Sequence, residues 1–172
     1  MFDRQTIINA FAKNRRPADE ALTECDCEEC QAEVQNLKGK TWSQITLADI
    51  GPFSGNINDL TPAAFYYFLP GLLLLTLDHP DADWIAEAVI FRLTESDREG
   101  NHVSSRLRQD LIRLNPYQRE VLAELVSDWQ RHFNFSMFPG IWESLILSLS
   151  SREPVRYSWE ALEAYNRELL KE

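Results

Sequence analysis

"LTPAAFYYFLPGLLLLTLD", residues 60–78, is the stretch on which the fold turns. Thr61 followed by Pro62 is a helix start. The hydroxyl caps, and the proline takes the first helical position, where its missing N–H costs nothing. Ala63 and Ala64 propagate the helix. Residues 65–77 are then apolar nearly throughout, and such a helix belongs either in a membrane or in a protein core. Thirteen residues are too few to span a bilayer, which takes about 20. Pro70 and Gly71 sit in the middle, and Asp59 and Asp78 bracket the stretch closely. The reading is a buried core helix. Pro70 cannot donate to the carbonyl four residues back, which predicts a kink or two abutting helices.

Outward from this segment the periodicity stays helical. Ile7, Ile8 and Phe11 give an apolar stripe to a helix over about 3–13, ended by "KNRRP" with basic residues at the negative end of the dipole. A second helix covers the cysteines, with Asp26 as N-cap, Glu29 three residues on, Val34 and Leu37 on its apolar face and Gly39 beyond its end. "TWSQITLADI", 41–50, is a short segment and "GPFSGNIND", 51–59, reads as a loop.

Beyond the core segment, Asp78 reads as a cap at the start of a helix over about 80–93, with Trp84, Ile85, Ala88 and Val89 inward. "TESDREGN" is a polar loop, followed by a basic helix over about 103–114. Asn115 and Pro116 repeat the cap-plus-proline device and start a helix with Tyr117, Val121, Leu122, Leu125, Val126 and Trp129 on one face. Helices over 140–150 and from Ser158 close the chain. No stretch alternates with period two for long. The expectation is an all-α fold, a single-domain multi-helix bundle or orthogonal helix array over 1–172, with the 158–171 helix as a peripheral addition.

The chain has 172 residues and 44% hydrophobic side chains, enough for a self-sufficient core. Its net charge of −10 comes from 27 acidic and 17 basic side chains. Phosphates are repelled by that balance, which argues against nucleic acid and anionic membrane as partners and leaves room for a basic protein. The N-terminus lacks the continuous apolar run of a signal peptide. An odd number of cysteines, in a chain that folds without staples, points to a reducing compartment. The protein is expected in the cytoplasm.

All three cysteines lie in "CDCEEC", residues 25–30. If the helix begins near Cys27, then Cys27 and Cys30 share a face, and Cys25 folds back toward them. Three thiolates make a soft site for zinc, copper(I) or an iron–sulfur centre. A closed zinc site needs a fourth ligand. His79, His102, His132 and a local carboxylate are the candidates, none with signature spacing. A redox reading meets opposition from Glu24, Asp26, Glu28 and Glu29, whose charges raise a thiol pKa. A bound cation reverses that, since it welcomes acidic neighbours. The plain alternative is a helix turn that happens to carry thiols.

Catalytic signatures are missing. There is no P-loop, GxGxxG or HExxH, and the serine of "GPFSG" sits one place too late for a nucleophile elbow. Four consecutive aromatics, Phe65–Phe68, cannot all face one way on a helix. Tyr66, Tyr67 and Trp42 are therefore candidate partner contacts. Residues 19–33 hold only acidic charges, while 92–119 carry six arginines, Arg92 among them.

"IINAF", "CEECQAE", "GKTWSQI", "LTPAAFYYFLPGLL" and "LNPYQREVLAELV", in this order, resemble a family of small bacterial proteins of unknown function. The family shares a CxEC-like element and an LTPxAFxYYLP-like helix, and the resemblance covers roughly residues 5 to 130. This chain departs from it at Phe68 and carries an extra thiol, Cys25. The resemblance implies a bacterial cytoplasmic protein and supplies no mechanism.

Three readings of function stand at this point. The first is a non-enzymatic acidic helical protein acting through protein contact, immunity-type or regulatory, on a basic partner. The second is a metal-binding protein using Cys25, Cys27 and Cys30, with zinc as the ion. The third is a carboxylate-based enzyme, which the missing motifs disfavour.

Overall fold

The computed structural model describes residues 3–51, 55–93, 110, 112–132 and 149. Among these there are seven helices and no strand: α1 (Arg4–Phe11), α2 (Glu28–Gln35), α3 (Leu47–Ile50), α4 (Gly55–Asp59), α5 (Pro62–Asp78), α6 (Asp83–Arg92) and α7 (Pro116–His132). The fold is all-α. The chain divides into two compact units, Met1–Arg92 and Leu93–Glu172. The helices expected over 140–150 (apart from residue 149) and from Ser158, the polar loop after α6 and most of the basic helix over 103–114 lie outside the described residues.

The first unit is built around α5. Thr61 caps it, its hydroxyl accepting from the Ala64 amide at 3.2 Å, and Pro62 occupies the first turn. Thirteen of its 17 residues are buried, including Phe65, Phe68, Leu69, Leu72 and Leu73. A helix apolar on every side must be covered on every side. α1 and α6 both pack against it.

Two backbone irregularities in α5 are answered by other segments. Pro70 has no N–H, so the Tyr66 carbonyl lacks its partner within the helix. The Asn14 side chain supplies it, Nδ2 donating to the Tyr66 oxygen at 2.7 Å. α5 runs as one helix through Pro70, so of the two alternatives expected there, a kink or two abutting helices, the second is not formed. One residue on, Gly71 lies under the 42–45 segment. A Cβ there would collide with the Trp42 carbonyl oxygen and the Ile45 side chain. Only glycine permits that approach.

α1 runs antiparallel to α5. Arg4 at its start pairs with Asp78 at the end of α5, and Asn14, just past its end, reaches Tyr66. Asp78 is thus the last residue of α5 and not a cap at the start of α6, which begins five residues later at Asp83. The cap of α1 is Asp3, which accepts from the Gln5 and Thr6 amides. In α6, Ile85, Ala88 and Val89 are buried as expected, whereas Trp84 is only half-buried.

Arg92 ends α6 and is itself buried. Its guanidinium donates to the Asn58 and Leu60 carbonyls at 2.8 and 2.9 Å and lies 5.0 Å over the Phe65 ring. A cation against the last carbonyls of α4 satisfies groups that a helix end leaves free. Arg92, one of the six arginines of 92–119, is thus an internal clamp. Residues 55–59, expected as loop, form α4 because Ile57 is fully buried there and α4 packs on both α2 and α6. Packing overrides the poor helix propensity of Gly and Asn.

A second clamp fixes the turn after α2. Arg16 donates to the Lys40 carbonyl at 2.7 Å and pairs with Asp19, whose carboxylate also accepts from the Gly39 amide. Gly39 takes φ +73°, the left-handed conformation expected of it. Asp49 closes a capping box with Thr46 at the start of α3 and pairs with Lys40.

The described part of the second unit is mainly α7. Asn115 caps it by accepting from the Gln118 amide at 3.0 Å, and the Gln118 side chain accepts from the Asn115 amide at 2.9 Å. Val121, Leu122, Leu125, Val126 and Trp129 are buried as expected, but Tyr117 is half exposed.

The Pro70–Asn14 pair yields a prediction. Asn14→Ala strips a part-buried carbonyl of its donor and should cost about 1–3 kcal/mol. In a Pro70→Ala background the residue 70 amide returns to that carbonyl, so the cost of Asn14→Ala should fall by at least half. A double-mutant cycle by urea unfolding measures it; equal costs in both backgrounds would contradict the assignment.

Candidate metal centre

The cysteines sit where an irregular segment enters α2. Before them, the chain is tied to the start of α5. Thr23 and Leu60 form an isolated antiparallel bridge. The Thr61 amide donates to the Leu22 carbonyl at 2.8 Å, and the Thr61 hydroxyl to the Ala21 carbonyl at 2.8 Å. Thr61 thus caps α5 and anchors the 21–23 segment with one side chain. The backbone at Cys25 is held from two sides: its amide donates to Thr23 Oγ1 at 3.1 Å, and its carbonyl accepts from Gln31 Nε2 at 2.7 Å.

α2 begins at Glu28, and its N-cap is Cys27, whose Sγ accepts from the Cys30 amide at 3.4 Å. The expected cap, Asp26, is exposed and one residue too early. A cap must precede the first helical residue directly, so the thiol takes the role. This places Cys27 and Cys30 on one face, and Cys25 folds back onto them.

The Cys27 sulfur is 3.0 Å from that of Cys25 and 3.2 Å from that of Cys30. All three sulfurs lie within 4.8 Å of one another. All three cysteines are free. Cys27 is exposed, and Cys25 and Cys30 are half-buried.

The thiols are electrostatically unequal. Hydrogen bonding from the Cys25 thiol, with the Cys30 amide and the Cys30 thiol, lowers the Cys27 pKa below the ordinary thiol value. Cys30 moves the other way, because hydrogen bonds to Cys25 and Cys27 hold its proton and desolvation adds to the effect. The expectation that the four carboxylates raise the thiol pKa fails at Cys27, whose pKa is lowered. Glu24, Asp26, Glu28 and Glu29 are exposed to water, where their charges are screened, while the amides act at contact distance.

No fourth histidine, cysteine or carboxylate among the described residues joins the cluster at that range. His79 caps the end of α5. His102 and the His132 side chain lie outside the described residues.

The remaining candidates fall elsewhere. Tyr67 is a core residue, 4% exposed and edge-on to Phe68 at 5.0 Å, so it is no surface contact. Tyr66 and Trp42 are half-buried, and both contribute backbone carbonyls to the packing of α5. For the enzyme reading, a groove of about 430 Å³ along α7 is lined by Arg119, Glu120, Glu124 and Ser127. Glu120 and Glu124 are both exposed, the setting of a solvated face. Burial, and then Asp83, raises the Glu87 pKa above the usual carboxylate range, but it faces no cluster of acids among the described residues. No helix among the described residues is long and apolar enough to cross a membrane.

An all-helical unit presenting three converging thiols at a helix N-terminus is the class of protein the geometry defines. Residues 5–136 match the family of unknown function DUF6714, and the chain belongs to that family. No curated protein and no solved structure matches it.

The thiol asymmetry predicts an order of reaction. Limited iodoacetamide labelling of the reduced, metal-free chain should modify Cys27 several-fold faster than Cys30. The labelling rate of Cys27 should begin to rise at lower pH, since the thiolate is the nucleophile. Fragment-ion mapping of the labelled peptide reads the order; faster labelling of Cys30 would contradict it.

Proposed function

We propose that the protein binds a thiophilic metal ion, zinc(II) foremost, through Cys25, Cys27 and Cys30. One observation carries this reading: three thiols from one short segment converge to within 4.8 Å without forming a disulfide. A tetrahedral zinc site with Zn–S bonds of about 2.3 Å has sulfur–sulfur edges of about 3.8 Å. The Cys25–Cys27 and Cys27–Cys30 spacings are 3.0 and 3.2 Å, so these sulfurs move apart by about 0.6–0.8 Å to admit an ion.

The surroundings suit a cation. The four exposed carboxylates beside the site favour a divalent ion. The amide at the start of α2 donates to the Cys27 sulfur, an interaction that offsets excess negative charge on a metal thiolate. Binding must displace the thiol protons, and that of Cys30 is held more firmly than that of Cys27. Affinity therefore falls as pH drops.

Metal analysis of reduced chain purified without a histidine tag tests the reading. About one equivalent of zinc is expected, with Cys27→Ser lowering affinity by about a hundredfold or more, above the loss seen for outer-shell changes. A reduced, folded chain that takes up no zinc from a micromolar buffer would overturn it.

A further inference from the structure

We propose that Asp59 supplies the fourth, oxygen ligand that closes the Cys25–Cys27–Cys30 metal site. The proposal rests on the metal reading above and adds the residue that completes its tetrahedron.

Two independent packing relations bring Asp59 to the cysteines. The first is the Thr23–Leu60 bridge. The bridge is a single antiparallel pair, and its opposed directions set the next residues, Glu24 and Asp59, side by side, one residue before Cys25. Paired backbones lie about 4.8 Å apart, a gap that a carboxylate on a short stem can bridge. The second relation comes from the other side: α2, which carries Cys30, packs on α4, of which Asp59 is the last residue. Asp59 therefore stands where both cysteine-bearing segments meet α4.

Its setting differs from that of the other nearby acids. Glu24, Asp26, Glu28 and Glu29 are exposed, whereas Asp59 is half-buried. The carboxylate is not among the groups that lie within 4.8 Å of one another, so it must move inward to reach an ion held by the three sulfurs. Carboxylate oxygens bind zinc at about 2.0–2.2 Å. The resulting site holds α2, the 23–25 segment and α4 together, and Arg92, which clamps the Asn58 and Leu60 carbonyls, fixes the backbone on either side of Asp59.

Cobalt(II) titration of the full reduced chain separates the two claims. Thiolate-to-cobalt charge-transfer bands report the cysteines, and the visible ligand-field bands report the whole donor set. Wild type, Asp59→Ala and the near-isosteric Asp59→Asn should all show the charge-transfer bands. Both variants should shift the ligand-field bands and bind zinc more weakly, Asp59→Ala by on the order of 10–100-fold. Metal-free melting curves establish that each variant folds; if Asp59→Ala does not, the affinity and spectrum of Asp59→Asn decide. Ligand-field bands and affinities identical to wild type in the folded variants would overturn the role of Asp59 and leave the three-thiol site standing. Absence of charge-transfer bands in wild type would overturn both.

Discussion

The first unit depends on burying α5 on every side. A helix with this many leucines and aromatics has no polar face to offer water, so neighbours must cover it completely. That demand sets the local chemistry. Where Pro70 leaves a carbonyl without its helical donor, Asn14 provides one. Where the 42–45 segment must cross, Gly71 removes the Cβ that would block it. Where the helix begins, Thr61 caps it and at the same time holds the 21–23 segment. The run from Leu60 to Gly71 is thus a set of packing solutions, each with a named partner.

The thiol cluster is a consequence of that frame. Thr61 and the Thr23–Leu60 bridge fix the chain two residues before Cys25. Arg16 and Asp19 fix the turn after α2. Between those anchors the chain must enter α2 abruptly, and Cys27 performs the cap. The three sulfurs meet in a short segment whose two ends are pinned to buried structure, and hydrogen bonds link Cys27 to the other two thiols. This is a preorganised donor set, in which little further ordering is needed on binding an ion.

Much of this was legible in the residues. Thr61–Pro62 and Asn115–Pro116 marked helix starts because capping and proline geometry are local. The length of the 65–77 run separated core from membrane, and the spacing of Cys27 and Cys30 put them on one face. What escaped was non-local or unusual. Asn14 lies 52 residues from the carbonyl it satisfies, so Pro70 read as an interruption. Arg92 read only as one of six arginines in 92–119, because its carbonyl partners, Asn58 and Leu60, lie more than 30 residues away. Asp26 read as the cap because thiols rarely fill that place. Tyr67 read as a contact residue because four adjacent aromatics do not reveal which of them point inward.

The central claim is that the fold of residues 21–30 delivers three sulfur donors to one metal ion. X-ray absorption at the zinc edge of the full-length, zinc-loaded chain tests it most directly. The account predicts three sulfur scatterers at about 2.3 Å and one oxygen at about 2.0–2.2 Å. A shell made only of nitrogen and oxygen, or of a single sulfur, would contradict it.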